Sequence, residues 1–139
     1  SQISINKALE KIIEDIQCDT VFVHHKYDVN IDHQVLYKSI MVVARPKPLS
    51  CISNILTYHV NSSTEWGARS PTQMFCPNIF IDISSTLNKK LEAIKCYTHE
   101  LETYPHPRSI EAIKARAKVL GSESGVNYAE GFNLIFSKV

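Results

Sequence analysis

The stretch Thr20-Val21-Phe22-Val23, followed at once by His24-His25-Lys26-Tyr27-Asp28-Val29-Asn30-Ile31-Asp32-His33, decides how this chain is read. Four consecutive β-branched and aromatic residues form a short apolar run, the pattern of a strand covered on both faces. Upstream, Ile5, Ala8, Leu9, Ile12, Ile13 and Ile16 recur at helical spacing, with Ser4 placed to cap, which predicts an amphipathic helix. A helix that feeds a buried strand points to a parallel α/β sheet. Past the polar stretch that ends at Ile31, a second helix is expected from about Asp32 to Ala44, stopped by Pro46 and Pro48.

Further along, Asn54 to Val60 reads as a strand and Phe75 to Ile83 contains another, separated by a polar loop that carries Ser62, Ser63, Thr64, Glu65 and Trp66. A connection of that length in a compact domain points to a functional role. Ser85 or Thr86 is placed to cap a helix with Leu87, Leu91, Ile94, Tyr97 and Leu101 on one face, ending near Tyr104-Pro105. Ser109 is placed to cap the next helix, with Ile110, Ile113, Ala117 and Leu120 inward and Gly121 as its C′ residue. Tyr128 to Phe136 reads as a final strand. No repeat, low-complexity tract or interdomain linker interrupts residues 1–139, which read as one domain.

Composition narrows the function classes. The 139 residues are 44% hydrophobic and 21% charged, ordinary for a globular domain able to bury a core. A net charge of +1, with both signs interspersed, excludes the footprint of a nucleic-acid binder or of a protein held on an anionic membrane surface. No apolar run approaches the roughly 20 residues of a membrane span, and the first residues have no signal-peptide pattern, so the chain reads as cytoplasmic. Cys18, Cys51, Cys76 and Cys96 are far apart and form no CxxC pair, as expected of buried reduced thiols. The chain starts with Ser1 and has no glycine before Gly67, although the first strand-to-helix turn of an α/β domain usually carries one. A segment upstream is therefore expected.

The cluster from His24 to His33 lies just past the C-terminal end of a predicted parallel strand, the edge where open α/β sheets bind ligands. Imidazole and carboxylate suit zinc, and a catalytic zinc takes three protein ligands and a water. Two readings of the cluster stand: a metal or catalytic site, or surface polar residues with Asp32 capping the next helix. A site built from His24, His25 and His33 is disfavoured, because successive strand residues point to opposite faces.

Asp28-Val29-Asn30-Ile31-Asp32-His33, with the following helix ending in Ala44-Arg45-Pro46, resembles the second motif of LmbE-like (PIG-L) deacetylases, usually written HxDH. Ser62-Ser63-Thr64-Glu65-Trp66, Pro77 to Ser84, Tyr104-Pro105-His106-Pro107-Arg108-Ser109 and Tyr128-Ala129-Glu130-Gly131-Phe132 resemble, in the same order, segments of one bacterial branch of that family. The likeness covers essentially the whole chain. It implies the C-terminal part of a Rossmann-like (LmbE-type) domain, a mainly parallel sheet with flanking helices. The activity implied is zinc-dependent hydrolysis of an N-acetyl group on an N-acetylglucosamine-type sugar or glycoconjugate.

By the resemblance, His33 is the third zinc ligand, Asp32 supports the site through hydrogen bonding and charge, and Asn30 takes the oxyanion-stabilising or substrate-contacting position. Many relatives have His where Asn30 stands; an amide donates a neutral hydrogen bond there but supplies neither a proton nor a positive charge. The family's HPDD-type motif, which carries two zinc ligands and the general base, is absent from these residues. The chain is thus expected to be inactive by itself, with the N-terminal half, or a second copy, as partner against the first helix and strand. The rival readings are a non-catalytic remnant or carbohydrate-binding module, and one chain of a split domain.

Four further residues are candidates for binding substrate. Trp66 suits either a sugar-stacking platform or a core filling under the loop. His106 and Arg108 suit either a phosphate or sugar hydroxyl, or a rigid proline-flanked turn entering a helix. Glu65 and Glu130 each suit a buried network or an exposed position. His59 and His99 read as surface or half-buried residues.

Overall fold

In the computed structural model of the protein, which describes residues 1–48, 50–67 and 69–139, the opening helix α1 spans Gln2–Ile16. It starts earlier than its apolar periodicity indicates, with Ser1 rather than Ser4 at the N-cap. Leu9 and Ile13 pack on the core, while Ile12 and Ile16 stay exposed, so only part of the predicted stripe is buried. Strand β1 follows at Thr20–His24, and helix α2 at Ile31–Val43. Strands β2 (Asn54–Tyr58), β3 (Ile79–Asp82) and β4 (Ala129–Ser137) and helices α3 (Leu87–Lys95) and α4 (Ile110–Ser124) complete the chain. Among the described residues, no helix is long and apolar enough to cross a membrane.

The strands form a mixed sheet in the order β1-β2-β4-β3. β1 and β2 pair in parallel, with Val23 opposite Thr57 and His24 opposite Tyr58. β4 runs antiparallel to β2, with a bulge at Ile55/Leu56. The chain divides into two compact units, one of Ser1–Pro77 with Phe132–Val139, the other of Asn78–Gly131.

In the first unit, Val23, Ile40, Val43, Ala44, Ile52 and Ile55 form a buried core, with Leu9, Ile13, Leu36 and Phe136 packed against it. The helix α1–strand β1–helix α2–strand β2 order thus buries one face of the sheet under its two helices. The other face is less protected. Phe22 remains 49% exposed, its ring meeting Phe132 edge-on at 5.1 Å, so β1 is not covered on both faces as its continuous apolar run implies. All four cysteines are free, but Cys76 and Cys96 are exposed and Cys18 and Cys51 half-buried, in place of the expected burial.

In the second unit, Ile83, Leu87, Leu91 and Ala117 form a smaller core with Ile110, Ile113 and Tyr128 against it. α3 ends at Lys95, well short of Tyr104. Past Ile94 the next residue of its apolar stripe, Tyr97, is exposed, and without burial there to offset the ordering of the chain the helix stops. Thr86 sits at the N-cap without a side-chain capping bond, whereas Ser109 caps α4 as expected, accepting from the Ala112 N–H at 3.1 Å. α4 continues through Gly121 and closes on Gly125, whose φ of 78° is left-handed. Gly121 is needed for space, not for a turn. A Cβ there would sit 2.7 Å from the Asn127 carbonyl and from the Val126 oxygen.

Gly121→Ala therefore separates propensity from packing. Alanine favours a helix interior by about 1 kcal/mol, yet overpacking against backbone costs about 1–3 kcal/mol. The expected outcome is a lower unfolding midpoint in urea for Gly121→Ala; a higher one would mean that the Asn127 turn yields freely.

Candidate functional site

The site around Asp28 lies in the first unit. β1 ends at His24, and the chain then turns through Asp28 into α2. Asp28 is 1% exposed, and no stretch of periodic sequence announces it as buried. A carboxylate in that position must be hydrogen-bonded to remain ionised. It is. Ser63 Oγ donates to Asp28 Oδ1, Thr64 Oγ1 donates to Oδ2 at 2.8 Å, the Asn30 N–H donates to Oδ1 at 2.8 Å, and His33 Nδ1 lies 3.1 Å from Oδ1. Burial by itself would push the Asp28 carboxyl up, but the bonds from Ser63, the Asn30 N–H, Thr64 and His33 outweigh it and hold the carboxyl below its ordinary value.

The partners are held in turn. Thr64 Oγ1 also accepts from the Val60 N–H at 2.8 Å, and Ser63 O receives the Val29 N–H at 3.4 Å and the Trp66 N–H at 3.2 Å. Glu65 closes the turn from within. Its carboxylate accepts from the Ser62 N–H at 2.6 Å and the Ser63 N–H at 3.3 Å, and lies 3.3 Å from His59 Nε2. Ser62 has a φ of 61°, a conformation that a non-glycine residue keeps only when its surroundings impose it. Gly67 is pressed onto the Tyr27 carbonyl; a Cβ there would be 1.8 Å from that oxygen.

His33, in the first turn of α2, has the Asp28 carboxylate at Nδ1. An ionised carboxylate only accepts, so the neutral ring carries its proton on Nδ1 and leaves the Nε2 lone pair free to ligate. The carboxylate that meets His33 is thus Asp28, not the adjacent Asp32, which is exposed. Asn30 is the N-cap of α2, its Oδ1 accepting from the Asp32 N–H at 2.9 Å. That leaves its amide N–H₂ as the group able to donate elsewhere.

His24 and His25 diverge. His25 is buried, with Nε2 2.9 Å from the Gln73 carbonyl. The His24 ring instead stacks on His33, with centroids 3.8 Å apart and planes 16° apart, and its Nε2 lies 3.1 Å from Tyr58 Oη. Burial first, and then His33, push the His24 ring below its ordinary value, with Asp28 pulling the other way. Burial and Asp28 together push the Tyr58 hydroxyl up, so it keeps its proton.

Trp66 is 63% exposed, with the Arg69 guanidinium 5.1 Å from its ring centre, and so is not a core filling. His106 and Arg108 belong to the second unit, in the turn ahead of α4: Arg108 pairs with Glu100, and its N–H donates to His106 Nδ1 at 3.1 Å. Glu130 is half-buried in the same unit and pairs with Lys90. His59 is half-buried and His99 exposed.

Sequence reasoning assigned no role to Asp28, Ser63, Thr64 and Tyr58. The signal for Asp28 is its place two residues before an N-cap; nothing local marks its hydroxyl partners. Among the described residues, no group of three or more His, Cys, Asp or Glu is arranged to hold a metal ion. His33 offers one corner of such a site, and these residues alone do not complete it.

Replacing Asp28 tests this hub. Breaking one side of a buried charged network costs about 3–5 kcal/mol, and Asp28→Asn should lose an amount of that order in urea unfolding at neutral pH. A carboxyl held low in the folded chain stabilises the fold above its ordinary value and loses that contribution as pH falls through its folded one. The parent should therefore lose stability at the acid end, below 3.8, and Asp28→Asn should lose less there; parallel acid limbs for the two would count against the carboxylate as the source.

No family model matches the chain. Solved structures do. The conserved protein TT1542 from Thermus thermophilus is similar over 96% of this chain and 59% of its own, with a TM-score of 0.72 and 19% identity. An N,N'-diacetylchitobiose deacetylase from Pyrococcus horikoshii, complexed with its inhibitor MPG, is similar over 97% of this chain and 52% of its own, at 0.67 and 22%. GalB, the 4-carboxy-2-hydroxymuconate hydratase from Pseudomonas putida KT2440, is similar over 96% of this chain and 59% of its own, at 0.69 and 19%. The chain spans a little over half the length of these structures. One deacetylase and one hydratase share the fold, so the fold does not select the reaction and the site must. What the likeness shows is the architecture alone: an α/β fold with a mixed sheet and flanking helices.

Proposed function

We propose that this chain is the C-terminal portion of a zinc-dependent deacetylase that removes an N-acetyl group from an N-acetylglucosamine-type sugar or glycoconjugate. The single observation that carries the reading is the Asp28–His33 pair at the C-terminal end of β1. A buried carboxylate on Nδ1 sets the tautomer and raises the basicity of Nε2, the usual support of a metal-bound histidine. A similar structure that is a chitobiose deacetylase supports the substrate class. The other ligands and the general base belong, by the family resemblance, to residues outside these 139. Zinc bound there would polarise the acetamide carbonyl and lower the pKa of a bound water toward about 7.

This chain's own residues then have distinct tasks. His33 contributes a ligand and Asp28 orients it. The Asn30 amide, with its oxygen engaged at the α2 cap, has N–H groups to donate to the developing oxyanion. Asp32 is an exposed carboxylate next to His33 that adds negative charge to the site. Trp66 offers an exposed indole face to a sugar ring, on the loop whose Thr64 holds Asp28. In this reading Glu65 acts through the turn it braces, and His106 and Arg108 are further candidates for substrate hydroxyls or phosphate.

In a domain restored with an HPDD-bearing segment, His33→Ala should abolish zinc retention and acetate release together. Asn30→Ala should keep zinc, lower kcat roughly 10²-fold through the lost donor, and cost about 1 kcal/mol of stability through the lost cap. Asn30→His should retain turnover. Metal content and acetate release for the three variants check this; full zinc and normal turnover in His33→Ala would remove the main residue-level support.

The exposed Ile3, Ile12 and Ile16 of α1 and, on the other face of the sheet, the half-exposed Phe22 of β1 support a partner segment or second copy against the first helix and strand. Among the described residues β1 ends the strand order, and an unpaired edge is a template for another strand. The 139 residues alone should self-associate as concentration rises in sedimentation, and a monomer across the whole range would oppose this.

A further inference from the structure

The reading of His33 as a ligand leaves the ring stacked upon it unexplained. His24 closes β1 directly opposite Tyr58 in the parallel β1–β2 register. Its Nε2 meets Tyr58 Oη at 3.1 Å, and its Nδ1 is buried with no hydrogen-bond partner among the described residues. Neither nitrogen is therefore presented to a ligand. The proton position follows: a buried N–H without an acceptor is the rarer and costlier defect, so the proton sits on Nε2, donated to Tyr58 Oη. The flat face of the ring is then what His24 offers, and it lies on His33 at 3.8 Å, nearly parallel.

We propose that His24 is a positioning residue for His33, anchored by Tyr58; the inference rests on the reading of His33 as a metal ligand. The need for a second constraint is geometric. A histidine ring turns about a broad, soft terminal torsion, and the Asp28 bond fixes only Nδ1, leaving the ring to swing about that contact. A ring stacked on one face restricts the swing, and it restricts it well only if it is itself held. The His24 plane is held through Tyr58, its partner across the same rung of the parallel ladder. The direction of the His33 Nε2 lone pair is thus set by two supports from different elements: Asp28 from the turn before α2, and the β1–β2 rung from below. Metal ligation needs that direction fixed, since supporting groups of this kind change metal affinity 10–100-fold when removed.

The test reads the His33 ring itself and needs no turnover. Long-range proton–nitrogen correlations on the nitrogen-15-labelled 139-residue chain at neutral pH report which ring nitrogen carries the proton. In the parent, His33 should be one tautomer with the proton on Nδ1. His24→Ala should keep that tautomer, which Asp28 sets, but shift and broaden the His33 ring signals as the ring swings about the Nδ1 contact. His24→Phe, which keeps a flat buried ring, should restore the parent signals, and Tyr58→Phe should broaden them to an intermediate degree. In the restored domain, His24→Ala should bind zinc roughly 10-fold more weakly, with turnover recovering as zinc is raised. An unchanged His33 spectrum in both His24→Ala and Tyr58→Phe overturns the proposal, as does His24→Phe behaving like His24→Ala. If His24→Ala does not fold, by its amide spectrum, Tyr58→Phe and His24→Phe decide. Failure of the deacetylase reading looks different: there, His33→Ala would keep its zinc while the apo-chain spectra behave as expected.

Discussion

The buried carboxylate of Asp28 is the constraint on which the rest of the site depends. It ties the end of β1, the cap of α2 and the loop after β2 to a single pair of oxygens. Each donor that reaches it is one the chain would otherwise have to leave in water or orphaned. A charge out of water is tolerable only when so surrounded. The consequence is that the His33 imidazole is fixed at Nδ1.

That hub also explains why the long polar loop is ordered at this point. Ser63 and Thr64 face inward, Glu65 ties down the backbone of its own turn, and Gly67 permits contact with the Tyr27 carbonyl. Trp66, between them, is left exposed. The loop is held by its hydroxyls and its acid, while its one aromatic side chain remains available. This division of labour is what makes Glu65 a brace for the turn and Trp66 a surface.

The similar solved structures carry unlike activities on one architecture. Chemistry therefore rests on which side chains the C-terminal ends of the strands present. Here they present a His33 with its proton placed by Asp28, and a stacked His24 tied to Tyr58. The His33 imidazole is thereby held by side chains from two other segments rather than left as a free surface ring.

Read alone, the sequence determined the order of helices and strands, because the helical periodicity of Ile5 to Ile16 and the β-branched run at Thr20 to Val23 are local properties of adjacent residues. It also located the His24 to His33 cluster at a strand end and the Ser109 cap, which depend on a few neighbours. Tertiary structure decided the rest. Asp28 finds Ser63 and Thr64 across 35 and 36 residues, a pairing that no local pattern encodes. The antiparallel return of β4, the early end of α3 and the burial of Gly121 likewise depend on what each segment meets in space. Periodicity reports which face of an element is apolar; only packing decides whether something lies there to cover it.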